Sequence, residues 1–304
     1  MRREGASDSG GIASGEQRQA VSMNAPFQKR DFYRLIEGYE PLDCEILEDE
    51  SWRVFTRHPM HYALYGRYRF HIVLLYILDH FDLSGATFLD LGPYPGTFLR
   101  LLRHLGPSEG LRLHGAGLRA TSTFVSQMER DCNASILEVN LDPTNPDLLS
   151  RNFPSTIPMS ENTVDYIHAG EIIEHLINPS WMLQESYRLL KSGGSIIITT
   201  PNITRIGNVF KLLIGRSNYD RCSPIGSQDP HDEWRRHFHE YELKELATLM
   251  SEHGFRVTHS AHYNSRNTEM VVKSWKQRVI DLAKVPFYCV PHLKCSLFLV
   301  ATKP

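Results

Sequence analysis

Cysteine is scarce in this chain and never falls at a metal-binding spacing. The five cysteines, Cys44, Cys132, Cys222, Cys289 and Cys295, are odd in number, scattered and without a Cys-x-x-Cys pair. That argues against a disulfide framework or a structural zinc site and suits the reduced thiols of a cytoplasmic protein. An excess of one charge is also missing. With 33 Lys and Arg against 35 Asp and Glu the net charge is -2, which gives no electrostatic case for gripping a nucleic-acid backbone and favours a small-molecule partner. Long apolar runs are absent, so no transmembrane segment is expected; residues 71–78 fall far short of the roughly 18 needed to span a bilayer and are bracketed by Arg69 and Asp79. Repeats are lacking, and low complexity is confined to residues 1–28. That stretch is rich in Gly, Ser, Ala and charge, has no signal-peptide core, and is expected to be a disordered tail.

What is present is enough apolar material, 41% of 304 residues, for one large domain with extensions. Residues 29–82 read as a helical cap, with Tyr68, Val73, Leu74 and Leu78 as a buried face. Tyr62, Tyr65 and Tyr68 either line an acceptor pocket or simply pack. Residues 83–304 follow as the main domain. There TFLDLGPYPG (87–96) is an apolar run ending in glycine, expected as a buried parallel strand that turns sharply into a helix over 97–104. Gly92 and Gly96 mark the turn, where glycine lets backbone N–H groups approach a ligand and the helix presents its positive end to a carboxylate or phosphate.

Further along, residues 165–169 are expected as a strand. A helix over 179–191 carries Leu183, Tyr187 and Leu190 on one face, Gly193 and Gly194 stop it, and 195–200 is a β-branched strand ended by Pro201. Strands separated by helices of this length imply right-handed βαβ units in a parallel, doubly wound sheet, with ligands beyond the carboxyl ends of the strands. The last strand, over 294–303, is placed at an edge or centrally, after a surface helix over 271–284.

Taken together, TFLDLGPYPG, YIHAGEIIEHL and LQESYRLLKSGGSIIITTPN resemble a class I S-adenosylmethionine-dependent methyltransferase. Tyr94 stands where the usual Asp-x-Gly-x-Gly-x-Gly has its middle glycine. From TTPN onward the chain is similar to a bacterial subgroup associated with sugar, glycolipid or secondary-metabolite assembly; Arg236, His237, Glu240 and Tyr241 match its Arg-His-x-Arg-Glu-Tyr segment, and His239 replaces the second arginine. The resemblance implies a Rossmann-like α/β fold with a seven-stranded, mostly parallel sheet and an insertion at about 203–240 forming part of the acceptor site.

It also implies S-adenosyl-L-methionine as cofactor and a small-molecule methyl acceptor. Asp90, Gly92, Tyr94 and Gly96 would hold the methionine portion, although Asp90 has the alternative of anchoring the loop. The ribose would lie near Gly117 and Leu118, where relatives place an acid that this chain lacks. Asn140 and Asp142 would approach the adenine, although Asp142-Pro143 also reads as a plain turn. Gly170 and Glu171 follow the fourth strand. His237 is the first choice of general base and His175 the second, with surface capping and structural roles as their alternatives.

Glu171, Glu174 and His175 stand at i, i+3, i+4 and would share one face if helical. The spacing resembles the metal site of small-RNA 2′-O-methyltransferases, with His231 or His237 as a fourth ligand, but it also occurs in relatives without metal, and no metal is assigned. Beside the leading reading stand a metal-assisted RNA or quinone-type methyltransferase and a degenerate fold that acts as a binding partner.

Overall fold

The computed structural model describes residues 29–38, 61–107, 109–118, 120–145, 152–218, 237–264 and 275–304. Two helices, α1 (Lys29–Glu37) and α2 (His61–His80), precede β1 (Thr87–Leu91), α3 (Thr97–Leu105), β2 (Arg112–Gly117), α4 (Ser122–Cys132), β3 (Ala134–Glu138) and β4 (Val164–Gly170). A 3₁₀ turn at Ile173–His175 leads to α5 (Pro179–Leu189), β5 (Leu190–Pro201), α6 (Ile206–Leu213), α7 (Leu243–Glu252), β6 (Arg256–Tyr263), α8 (Trp275–Lys284) and β7 (Ser296–Thr302). The seven strands form one sheet in the order β3-β2-β1-β4-β5-β7-β6. β1 to β5 are parallel and β7 runs antiparallel to both of its neighbours. The expected Rossmann-like architecture is therefore present. The open choice for the last strand resolves to an interior place between β5 and β6.

Strand alternation builds two cores. Leu89, Leu91, Ile196, Ile198, Leu297 and Leu299 face one way, toward α5 and α7. Phe88, Ile197, Phe298 and Val300 face the other, toward α1 to α4. α2 belongs to that second core, with Val73 and Leu74 fully buried and Tyr68 and Leu78 half-buried against it. Tyr68 packs there; the side chains of Tyr62 and Tyr65 lie outside the described residues, as do the tail 1–28, His231 and Arg236.

One boundary differs from expectation. α5 stops at Leu189, and the chain is extended from Leu190, which pairs with Val164 in the sheet. Gly193 and Gly194 thus do not end the helix. They sit inside β5, where Gly193 has φ 82° and a Cβ on Gly194 would come within 2.9 Å of the Asp165 and Lys191 carbonyl oxygens. Their role is to let the strand cross an irregularity close to its neighbour. The expected surface helix is described from Trp275 to Lys284, and residues 271–274 lie outside the described residues.

Candidate functional site

At the carboxyl edge of β1 the loop 92–96 is held by its own backbone. Gly92 N–H donates to the Ala116 carbonyl (2.8 Å) and Gly96 N–H to the Pro93 carbonyl (2.6 Å). In this geometry both glycine N–H groups are engaged by backbone carbonyls. Both have positive φ, and a Cβ at Gly92 would meet Ile172 Cδ1 at 2.6 Å while one at Gly96 would meet Met128 Sδ at 2.5 Å. They are glycines because the turn and the packing of two neighbours demand it. Gly96 also supplies no side-chain cap to α3, so the N-terminus of that helix keeps its positive end toward the carboxyl edge of the sheet. Tyr94 packs edge-on against Phe124 (centroids 5.2 Å apart).

Asp90 and His168 occupy paired positions on β1 and β4. His168 Nδ1 lies 2.7 Å from Asp90 Oδ1, and both side chains are buried. The imidazole stacks on Phe98 at 3.9 Å, and a Cβ at Gly170 would collide with it at 2.6 Å. Gly170 therefore makes room for His168. Burial raises the Asp90 carboxyl above its usual range, and the histidine and Arg69 only partly offset this. Beyond the strand, Glu171 adopts φ 54° and pairs with Arg69 from α2 (3.5 Å), while its second oxygen, Oε1, is buried with no hydrogen-bond partner.

Gly117 stands at the end of β2, where the resemblance places the ribose and the chain has no acid. A Cβ there would approach Pro93 Cδ at 3.3 Å and Gly92 Cα at 3.4 Å. The proline ring, which also covers Gly115, takes up this space, and Leu118 is half-buried beside it. Asn140 and Asp142 turn inward on one another. Asn140 Oδ1 accepts from Asp142 N–H (2.9 Å), and the Asp142 carboxylate accepts from the Thr144 hydroxyl (2.8 Å) and from Ile177 N–H (2.6 Å). These two side chains act as a turn clamp that fixes the chain entering α5.

A second cluster lies past β4 and β5. Glu174 is buried, accepts from the Thr200 hydroxyl at 2.9 Å, and through its backbone carbonyl accepts Phe238 N–H at 2.8 Å. Burial, reinforced by Glu171, pushes its carboxyl up to about 8. The segment holding His237 is thus docked on the 3₁₀ turn, and the His175 and His237 rings meet edge to face at 4.9 Å. Ligand atoms of Glu174, His175 and His237 lie within 4.8 Å of one another. Glu171 does not join them, because its left-handed backbone interrupts the helix that would have put it on the same face.

His237 Nδ1 is 2.9 Å from Glu240 Oε1, and Glu240 is held by both Arg205 guanidinium nitrogens and by Asn208 Nδ2 (3.0 Å). Burial opposes ionisation, but hydrogen bonds from His237 and Arg205 outweigh it and take the Glu240 carboxyl down to about 2. A carboxylate fixed on Nδ1 selects the tautomer in which Nδ1 donates and Nε2 carries the lone pair. An open groove of about 770 Å³ runs nearby between Leu176–Pro179 and α7, with His239 and Tyr241 on its wall.

Sequence reasoning missed His168, Arg69 and Arg205. A histidine in the buried second half of a strand was a signal for the first; the two arginines gave none, because their partners are distant in sequence.

Residues 65–260 match a family described as "Methyltransferase domain". Among curated proteins, the chain is 27% identical over 151 residues to the mitochondrial ubiquinone biosynthesis O-methyltransferase of Dictyostelium discoideum, covering 49% of this chain and 45% of that one. It is 28% identical over 138 residues to the Rattus norvegicus protein of the same name, covering 43% and 35%. The chain thus spans less than half the length of these relatives. A solved Thermotoga maritima structure described as a SAM-dependent methyltransferase, possible histamine N-methyltransferase, is similar with TM-score 0.48 at 14% identity, covering 83% of this chain and 99% of that one.

Proposed function

The chain belongs to this methyltransferase-domain family, and from that premise we propose that it is a SAM-dependent methyltransferase that methylates a hydroxyl oxygen of a sugar, glycolipid or other small polar metabolite, with His237 as general base. The observation that carries the choice of base is the chain Arg205–Glu240–His237 past the end of β5, in which a carboxylate held by a guanidinium orients an imidazole.

The residues present fit the amino-acid portion of S-adenosylmethionine. An ammonium would find carboxylate oxygens at Asp90 and at the orphaned Glu171 Oε1, and a carboxylate would find the positive end of α3. The ribose would be held without an acid at Gly117, since Pro93 occupies that corner. When bound, the cofactor supplies an electrophilic methyl group on a sulfonium. The protein's own contribution is orientation, exclusion of water and removal of a proton. His237 Nε2 would take the proton of the acceptor hydroxyl as its oxygen becomes nucleophilic, and Glu240 would stabilise the imidazolium so formed.

Calorimetry with SAM and S-adenosylhomocysteine, followed by methyl transfer to panels of hydroxylated acceptors, tests this reading. His237→Ala should lower turnover by about 100- to 10,000-fold and leave SAM affinity unchanged. A wild type that binds no SAM, or a His237→Ala enzyme with full turnover, would overturn it.

The Glu174–His175–His237 cluster supports a second reading, metal-assisted transfer as in an RNA or quinone-type methyltransferase. One buried carboxylate and two imidazoles suit zinc, iron or manganese better than magnesium. Such an ion would orient acceptor hydroxyls, and His237 would then be a ligand instead of a base. Metal content of the purified protein, together with chelator sensitivity restored by one divalent ion and abolished by Glu174→Ala, would favour this reading; turnover indifferent to chelators would remove it.

A further inference from the structure

Nine of the ten exposed large hydrophobic side chains among the described residues lie on two neighbouring elements, α6 with the residue after it and α8 with the 3₁₀ turn that follows. On α8, Trp275, Val279 and Leu282 recur at i, i+4, i+7, and Trp275 and Leu282 are 71% and 72% exposed. On α6, Leu212, Leu213 and Ile214 are consecutive, with Leu213 at 74%. Phe210 and Phe287 meet edge to face at 5.8 Å and join the two halves into one face. An apolar face of this extent is not left in water by chance.

The sequence of these segments is predominantly basic. With Arg205 committed to Glu240, the segments 206–216 and 275–294 hold Lys211, Arg216, Lys276, Arg278, Lys284 and Lys294 against Asp281 alone, in a chain whose net charge is -2. Large apolar side chains, a tryptophan and a local excess of Lys and Arg are the composition of helices that lie in a bilayer interface, with no need to span it. No helix among the described residues is long and apolar enough to cross a membrane.

We propose that the α6–α8 face docks this protein on an anionic lipid bilayer, with the apolar side chains entering the headgroup boundary and the basic composition of the two segments supplying the attraction to lipid phosphates. The face is tied to the candidate site. Asn202, just past the end of β5, donates to the carbonyls of His292 and Lys294 at 2.8 Å, and Arg205, at the N-cap position of α6, holds Glu240 with its side chain. The eight residues of α6 set the exposed leucines about 12 Å from that end of the helix. Docking therefore brings the rim of the acceptor side to the membrane surface and favours an acceptor presented there, such as a glycolipid. This consequence rests on the methyltransferase reading above, whereas the docking does not.

Flotation of the full chain with phosphatidylcholine vesicles, with and without phosphatidylglycerol, tests the proposal. Wild type should float with the anionic vesicles and be released by salt. The double variant Leu213→Asp/Leu282→Asp, altered only at exposed positions and checked by circular dichroism and thermal melting, should bind at least about tenfold more weakly. No flotation of wild type, or equal flotation of the double variant, would overturn it. So would light scattering that shows a stable dimer dissolved by the double variant, which would assign the face to a second copy. SAM calorimetry on the same proteins keeps the readings apart: wild type that floats without binding SAM retains the docking and loses the methyltransferase.

Discussion

His168 Nδ1 and Asp90 Oδ1 stand 2.7 Å apart on adjacent parallel strands, a polar pair enclosed by the apolar face that packs against α2 and α3. The sheet presents this carboxylate at the carboxyl edge, where open α/β sheets bind their ligands.

Because burial raises the Asp90 carboxyl, the folded state favours its protonated form. The stabilisation from that form is complete below the unfolded carboxyl's pKa and is lost as pH rises through the folded value. Asp90→Asn should therefore raise stability near neutral pH and flatten its dependence on pH in urea denaturation. SAM affinity should fall about 10- to 100-fold, the value of one charge-assisted hydrogen bond. A variant that lost stability and kept its affinity would show that Asp90 serves the loop instead. His168→Ala, which leaves the carboxylate buried without its partner, should cost about 3–5 kcal/mol.

Gly117→Asp places a carboxylate at the end of β2, yet its Cβ would press on Pro93 Cδ. The single variant should bind SAM more weakly than wild type. Adding Pro93→Ala, which has no Cδ, should recover affinity above that of the single variant. Calorimetry on the three proteins decides; equal affinity in single and double variants would exclude the proline as the obstacle.

Gly96→Ala should lower stability by about 2–5 kcal/mol, the sum of left-handed strain and overpacking against Met128 and Phe124. Thermal melting would read this as a clear drop in Tm. Substitutions at Gly96 are for that reason poor probes of cofactor contact, and Asp90→Asn is the better one.

Glu240→Gln removes the charge that orients His237. Turnover should fall about 10- to 100-fold, as for other residues that orient a reacting or ligating histidine, with SAM affinity unchanged. Loss of cofactor binding in this variant would mean that the Arg205–Glu240 pair holds the fold of the site and does not act through His237.

Glu185 clamps the loop before β4. Burial by itself raises its carboxyl, but hydrogen bonds from Arg188 and from Ile157 N–H outweigh it and leave the group below the ordinary 4.5. Its contribution to stability is present above pH 4.5 and is lost as pH falls through the folded value. Glu185→Ala should cost roughly 1–3 kcal/mol at neutral pH, and Glu185→Gln should make acid denaturation below pH 4.5 shallower.

The amino-acid sequence by itself determined the layers of this protein and the carboxyl edge at which the candidate site residues gather. Short runs dominated by apolar and β-branched residues, such as 88–91 and 195–200, fit a strand buried on both faces, and the helices between them favour parallel crossovers. Period and turn chemistry are local, so they are legible in the chain. Only the tertiary structure decided which polar groups meet. Asp90 with His168, Arg69 with Glu171, and Arg205 with Glu240 and His237 are separated by tens of residues and joined by strand register and by one docked segment. It also decided that the glycines at 92, 96, 117 and 170 answer to Ile172, Met128, Pro93 and His168. Close packing is a property of neighbours in space, and spacing along the chain does not carry it.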